Sequence, residues 1–201
     1  SAEALCPDLI EPKSPADFVQ AQPLFEALLE YQQKRHPQVF SGPWISSLES
    51  FIRDIGPRMQ ALGAARLALS HNDFNPRNLA LRFAPGGLRL VAYDWELACV
   101  QSPVHDALEF LIYALPRQQT AGGLARWLAH FHDELKALGH PLVEGASGDA
   151  PWLTLVHDTA VELLLNRLNL YWLLANVKPF AFLERITWNL RLLIEATRHD
   201  A

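Results

Sequence analysis

Cysteine is scarce in this sequence, where only Cys6 and Cys99 occur among 201 residues. The two lie far apart in unlike contexts, so the sequence predicts neither a disulfide framework nor a Cys-x-x-Cys metal site. Two reduced thiols are typical of a cytosolic protein. A basic and then apolar leader ending in a small-residue cleavage site is also lacking, so secretion is not indicated and we expect a cytoplasmic location.

Charge is sparse as well. Asp, Glu, Lys and Arg make up 19% of the residues, and the formal net charge is −5. Because binding to a nucleic-acid backbone needs clustered Lys and Arg, the 17 dispersed basic residues argue against such a partner. Polar residues interrupt the most apolar long stretch, residues 160–177, which predicts a core helix rather than a membrane span. We therefore expect neither a nucleic acid nor a membrane as partner.

Hydrophobic residues, in contrast, are abundant. They form 50% of the chain, and six of them are tryptophans. This composition is typical of a well-buried globular protein. A chain of this length can enclose one sizeable core but not two full domains, and we find no internal repeat. The sequence therefore predicts a single domain over residues 1–201.

Apolar residues at three- and four-residue steps, together with cap and proline signals, predict a mainly helical chain. Ser14-Pro15-Ala16-Asp17 is typical of a helix start, and Gly56-Pro57 is expected to break or kink the second helix. A lead-in at residues 1–13, a loop at residues 139–150 and the segment between Asp94 and Ser102 are expected to be irregular. The predicted helical segments are residues 15–36, 43–62, 102–115, 123–138, 151–175 and 179–197.

Three short apolar runs, residues 66–69, 79–83 and 88–93, predict strands. The last two runs flank Pro85-Gly86-Gly87, a turn signal, and so predict a β-hairpin. The expected fold class is therefore α+β, mainly α-helical, with one small hairpin.

Side chains suited to chemistry lie next to this hairpin. The loop at residues 71–78 carries His71, Asp73 and Asn78, and the second strand ends at Asp94. Phosphoryl transfer needs a carboxylate that orients or accepts the hydroxyl proton, and hard oxygen ligands for Mg²⁺. Asp73 is thus a candidate base, while Asn78 and Asp94 are candidate metal ligands.

The pattern His-x-Asp-x-x-x-x-Asn, two strands and then Asp-Trp-Glu resembles the catalytic half of the aminoglycoside phosphotransferase and choline kinase family, which is protein-kinase-like. The resemblance implies transfer of the γ-phosphate of ATP or GTP to a hydroxyl of a small molecule. It implies that Asp73 is the catalytic base, that Asn78 and Asp94 bind the nucleotide through Mg²⁺, and that His71 supports the loop.

A second stretch, Ser102-Pro103-Val104-His105-Asp106, is similar to the Gly-Asp-Pro-x-x-Asp stretch of the same family. This similarity implies that Asp106 holds the catalytic loop from behind by accepting backbone N–H bonds. With the helices on both sides, the resemblance implies the larger C-terminal lobe of a protein-kinase-like fold, with the hairpin next to the catalytic loop.

The sequence departs from the family in two respects. Arg77 stands where the family usually has a small residue, often glycine. No glycine-rich phosphate loop and no Val-Ala-x-Lys strand precede His71, and the only lysines before it are Lys13 and Lys34. We therefore expect the nucleotide-clamping N-terminal lobe to be absent from this chain, and the chain alone to be inactive.

Two other functions are compatible with the residues. One is a non-catalytic binding module derived from a kinase lobe. The other is a metal-dependent phosphohydrolase of the His-Asp type, suggested by His71, His105-Asp106 and Asp158. Asp158 and Glu162 share a helix face and could line an acceptor pocket with Glu184, although a solvated face is the favoured interpretation.

Overall fold

The computed structural model describes residues 14–64, 68–117, 120–139 and 150–198. The predicted lead-in at residues 1–13, residues 66–67 of the first predicted strand and residues 140–149 of the predicted loop lie outside the described residues. The helices are α1 Pro15–Arg35, α2 Trp44–Arg53, α3 Ile55–Ala64, α4 His105–Ala114, α5 Ala121–Ala137, α6 Ala150–Leu163, α7 Asn169–Leu174 and α8 Leu183–Ala196; the strands are β1 Ala68–Ser70, β2 Leu79–Ala84, β3 Gly87–Ala92 and β4 Cys99–Gln101. The predicted α+β class, mainly helical, is confirmed.

The first helix begins and ends where local sequence signals place it. The Ser14 hydroxyl accepts a hydrogen bond from the Ala16 N–H at 3.2 Å, and Pro15 occupies the first helical position. At the other end, His36 follows the last helical residue and precedes Pro37, whose ring disfavours a helical conformation before it. Side-chain capping by Ser14 and the geometry imposed by Pro37 therefore account for the two ends of α1.

The break between α2 and α3 lies at Asp54 and not at Gly56-Pro57, where it was predicted. Gly56 and Pro57 fall in the first turn of α3 instead. Proline is tolerated there because the first N–H groups of a helix have no partner within it. The proline thus marks a helix start in this chain rather than a kink.

The predicted hairpin is present. Strands β2 and β3 pair antiparallel from Leu79 opposite Ala92 to Ala84 opposite Gly87. The turn places Gly86 and Gly87 at φ values of 103° and 119°. Glycine adopts such values without the steric cost that a Cβ would impose. The hairpin therefore returns the chain to the end of the loop that precedes it.

The segment between Asp94 and Ser102 was wrongly expected to be irregular. Residues Cys99–Gln101 form β4, which pairs antiparallel with β1 so that Ser70 lies opposite Cys99. A three-residue strand is too short to show alternation, and its partner lies about thirty positions earlier in the chain, so no local pattern predicts it. This small sheet joins the start of the 71–78 loop to the segment that leads into α4.

The hydrophobic core lies where α8 packs against α2, α4, α5 and α6. Apolar side chains from these helices interdigitate there, out of contact with water, and supply the main driving force for folding. The fully buried ones include Trp44, Leu48, Phe51, Leu108, Ile112, Leu124, Val156, Ile186, Leu190, Leu193 and Ile194. Helix α4 is thereby fixed in the centre of the molecule.

The helix predicted over residues 151–175 consists of three parts. Between α6 and α7, one turn of π-helix covers Leu164–Leu168. Such turns insert one extra residue into a helix, change the direction of the side chains that follow, and are frequent at functional sites.

None of the helices in the described part of the chain is both long enough and apolar enough to cross a lipid bilayer.

Replacing Ile112 by alanine should lower the free energy of unfolding by about 2–5 kcal/mol, because the deleted atoms leave a cavity in the packed core. Urea denaturation measures this loss. Leu170→Ala is the matched control, since Leu170 is 57% exposed on α7 and should cost about 0.5 kcal/mol. Equal losses in the two variants would contradict the assignment of α4 to the core.

Candidate active site

The 71–78 loop leaves β1 and enters β2 through a short 3-10 turn, Pro76–Asn78. Asn75 caps this turn, because its Oδ1 accepts a hydrogen bond from the Arg77 N–H at 3.1 Å. The Arg77 side chain is exposed, and its Nε donates to the same Asn75 oxygen at 3.2 Å. The loop therefore accommodates the arginine at its surface, where its bulk displaces nothing.

Two carboxylates of α4 hold the loop backbone. Asp106 accepts hydrogen bonds from the N–H of His71 at 2.7 Å and of Asn72 at 3.1 Å. Glu109 accepts one from the N–H of Phe74 at 2.7 Å. The backbone bonds that the resemblance implied for Asp106 are thus present. The sequence reasoning missed Glu109, although its three-residue spacing from Asp106 places both acids on one helix face.

The Asp73 carboxylate receives donors on both oxygens. The Asn78 Nδ2 donates to Oδ2 at 2.7 Å, and the Asn75 Nδ2 donates to Oδ1 at 2.8 Å. The Arg167 Nη2 also donates to Oδ1. Asp73 is 17% exposed, so its carboxylate is oriented by the protein yet open to solvent on one side.

Asn78 and Asp94 present oxygens that the described part of the protein leaves without donors. The Asn78 Nδ2 is used by Asp73, whereas its Oδ1 accepts no hydrogen bond from the described residues. The Tyr93 N–H donates to the Asn78 backbone carbonyl at 3.1 Å, which brings Asp94 next to Asn78. The Asp94 side chain is exposed and has no hydrogen-bond partner among the described residues. An amide oxygen and a carboxylate are ligands that fit Mg²⁺.

Among the described residues, left-handed backbone conformations outside glycine are confined to the same place. Among the described residues, the non-glycine residues with positive φ are Asn72, at 58°, and Asp94, at 68°. Left-handed conformations cost free energy in residues with a Cβ, and they cluster at sites where the surrounding structure enforces them for function. Their occurrence at the loop and at the end of β3 supports a functional site between the two.

His71 connects the loop to the end of β3. Its ring is fully buried, and its Nε2 lies 2.8 Å from the Tyr93 carbonyl oxygen. The ring packs against Trp95 with centroids 4.6 Å apart and against Phe74 at 5.8 Å. His71 thus contacts the residues on either side of Asp94, which is the geometry of a support rather than of a group that reaches substrate.

Arg167, on the π-turn, is the main residue that the sequence reasoning missed. Its Nη1 lies 3.0 Å from the Glu109 Oε1 and donates to the Asn72 carbonyl oxygen. Burial lowers the pKa of Arg167, but the carboxylates of Glu109 and Asp73 outweigh it and raise the pKa, so the side chain is charged. Burial raises the pKa of the Glu109 carboxyl, against the opposing charge of Arg167. No sequence motif marks Arg167, because its partners are distant along the chain.

The expectation that Asp158 and Glu162 form a solvated face is wrong. The two residues are 2% and 5% exposed, and Asp158 pairs with Arg58 at 2.9 Å. Both carboxylates are therefore buried between helices and are not exposed to solvent. Glu184 is exposed and pairs instead with Arg117 at 3.4 Å.

The residues suggested as metal ligands of a His-Asp phosphohydrolase, His71, His105-Asp106 and Asp158, do not form one cluster. Among the described residues, the one group of three metal-ligand side chains within 4.8 Å of one another is His105, Asp106 and Glu109, without His71 or Asp158. The Asp106 and Glu109 oxygens already accept loop N–H groups. The two acids of this group therefore hold the loop.

A protein-family model described as "Phosphotransferase enzyme family" matches residues 10–141, which include the 71–78 loop, the hairpin, Asp94 and α4. No curated protein and no solved structure matches the chain. The match spans well over half of the 201 residues. On this match and on the geometry of its loop, the chain belongs to the phosphotransferase enzyme family.

Proposed function

We propose that the chain is the larger, catalytic lobe of a kinase, a single domain over residues 1–201 with the architecture of a protein-kinase C-terminal lobe. It transfers the γ-phosphate of ATP or GTP to a hydroxyl of a small molecule in the cytoplasm. The observation that carries the proposal is the Asp73 carboxylate, held at 2.7 Å by Asn78, whose backbone carbonyl accepts the N–H of Tyr93, the residue before Asp94.

In this proposal Asp73 is the catalytic base. The acceptor hydroxyl oxygen forms a bond to the γ-phosphorus, the bond from that phosphorus to the β–γ bridging oxygen breaks, and the hydroxyl proton passes to the Asp73 carboxylate. Asn78 keeps that carboxylate in place through its amide nitrogen, while His71 and Asp106 keep the loop in place.

Asn78 Oδ1 and the Asp94 carboxylate would hold Mg²⁺, which when bound neutralises charge on the nucleotide phosphates. Both residues offer oxygens without donors in the described part of the chain. Asn78 is hydrogen-bonded to the proposed base, and Asp94 follows Tyr93, whose N–H donates to the Asn78 carbonyl oxygen.

The hairpin supports the proposal that a second, nucleotide-clamping lobe completes the site. The register places Leu81 opposite Leu90 and Phe83 opposite Leu88, so these four side chains share one face. They are 56–86% exposed. An apolar face of this size is typical of a surface that another part of a protein or a ligand covers. The charge stabilisation that a lysine and a phosphate loop supply would come from that lobe.

Asp73→Asn and Asp94→Asn in the full-length protein should each lower phosphotransfer by about 10²–10⁴-fold, because the first removes the base and the second removes the negative charge of a metal ligand. The assay follows label from [γ-³²P]ATP to a panel of aminoglycosides, amino alcohols, sugars and hydroxy amino acids. Asp133→Asn is the control, since that side chain is 76% exposed on α5. Unchanged transfer in either site variant would show that the assignment is wrong.

Isothermal calorimetry with Mg-ATP tests the second lobe. The 201-residue chain alone should give no binding heat at concentrations that saturate the two-lobed protein, because the lysine and phosphate-loop contacts of the second lobe are lacking. Tight binding by the chain alone would contradict the need for a second lobe. Tight binding without any transfer would instead favour a non-catalytic binding module.

A further inference from the structure

We propose that Arg167 is a positioning residue for phosphoryl transfer: it fixes the Asp73 carboxylate so that Oδ2 is the oxygen that accepts the hydroxyl proton. The inference rests on the proposed function, because it assumes that Asp73 is the base. It adds a residue from outside the 10–141 segment that the family model matches.

The hydrogen-bond donors on Asp73 are unevenly distributed between its two carboxylate oxygens. Oδ1 receives two donors, from Arg167 and from Asn75, whereas Oδ2 receives one, from Asn78, among the described residues. A carboxylate oxygen has two lone pairs. Oδ1 is therefore saturated, and Oδ2 keeps one acceptor position for the hydroxyl proton.

The guanidinium of Arg167 is held rigidly by its contacts. Arg167 is 18% exposed, and its Nη1 is anchored to the Glu109 carboxylate and to the Asn72 carbonyl oxygen. Glu109 is itself fully buried and bound to the Phe74 N–H. The planar guanidinium thus joins a fixed carboxylate behind the loop to the reactive carboxylate in front of it, a task that suits Arg better than Lys.

The backbone that carries Arg167 is anchored in the hydrophobic core. The π-turn Leu164–Leu168 lies in the middle of a long helical segment, and its residues Leu164, Leu165 and Leu168 are buried in the core. The turn is therefore anchored by three apolar side chains while Arg167 reaches the loop. A π-turn costs hydrogen-bond geometry, and such turns persist mostly where they place a functional side chain.

Arg167→Met and Arg167→Lys in the full-length protein, assayed for Mg-ATP hydrolysis with water as acceptor, test the proposal. Arg167→Met should lower kcat by about 10²-fold with little change in KM for Mg-ATP, because the base is misplaced while the nucleotide contacts remain. Arg167→Lys should recover part of kcat. Arg58→Met is the matched control, since Arg58 also pairs with a buried carboxylate, Asp158, and it should retain kcat.

Loss of Arg167 also leaves Glu109 as an unpaired buried carboxylate, which would destabilise the protein. The double variant Arg167→Met with Glu109→Gln removes that charge and keeps an acceptor for the Phe74 N–H. It should recover the melting temperature but not kcat. Recovery of kcat in the double variant, or a kcat in Arg167→Met equal to or above that of the parent protein, would overturn the proposal.

Asp73→Asn in the same assay distinguishes failure of the proposed function from failure of the role assigned to Arg167. Full turnover in Asp73→Asn, or none in the parent protein, contradicts the proposed function and this inference with it. Loss of turnover in Asp73→Asn together with normal turnover in Arg167→Met contradicts the role of Arg167 alone.

Discussion

The candidate site depends on the hydrogen bonds between the backbone of the 71–78 loop and two carboxylates of α4. Asp106 accepts the N–H groups of His71 and Asn72, and Glu109 accepts that of Phe74. Hydrogen bonds to ionised acceptors are short and about twice as strong as neutral ones. Because α4 is packed against α6 and α8, these bonds transmit the rigidity of the helical core to an otherwise short and irregular loop.

Burial of the Glu109 carboxylate is unfavourable for folding. The residue that offsets this cost also contacts the proposed base. A buried charge is strongly unfavourable unless it is paired. Arg167 pairs with Glu109 at 3.0 Å and extends to Asp73, so one cation serves a structural acid and the proposed base. If Asp73 is the base, as proposed, a single side chain couples folding to function, because Arg167 contacts both carboxylates.

Features encoded by neighbouring residues could be predicted from the sequence, and features that depend on distant contacts could not. The Ser14 cap, the Pro85-Gly86-Gly87 turn and the loop with Asp73 and Asn78 are local, and the structure contains them all. Strand β4 has no pattern of its own and exists because β1 lies beside it. Arg167 lies 94 positions from Asp73, in a stretch whose periodicity indicates only an amphipathic helix. The family resemblance pointed to the 71–78 loop but carried no information on that contact.

Amide hydrogen exchange at His71, Asn72 and Phe74 tests most directly whether α4 holds the loop. In the unmodified protein all three amides should be protected, since each donates to a carboxylate. In Asp106→Ala, exchange at His71 and Asn72 should become fast while Phe74 stays protected by Glu109. Fast exchange of the three amides in the unmodified protein would contradict the account, because the loop would then be ordered by something other than the two acids.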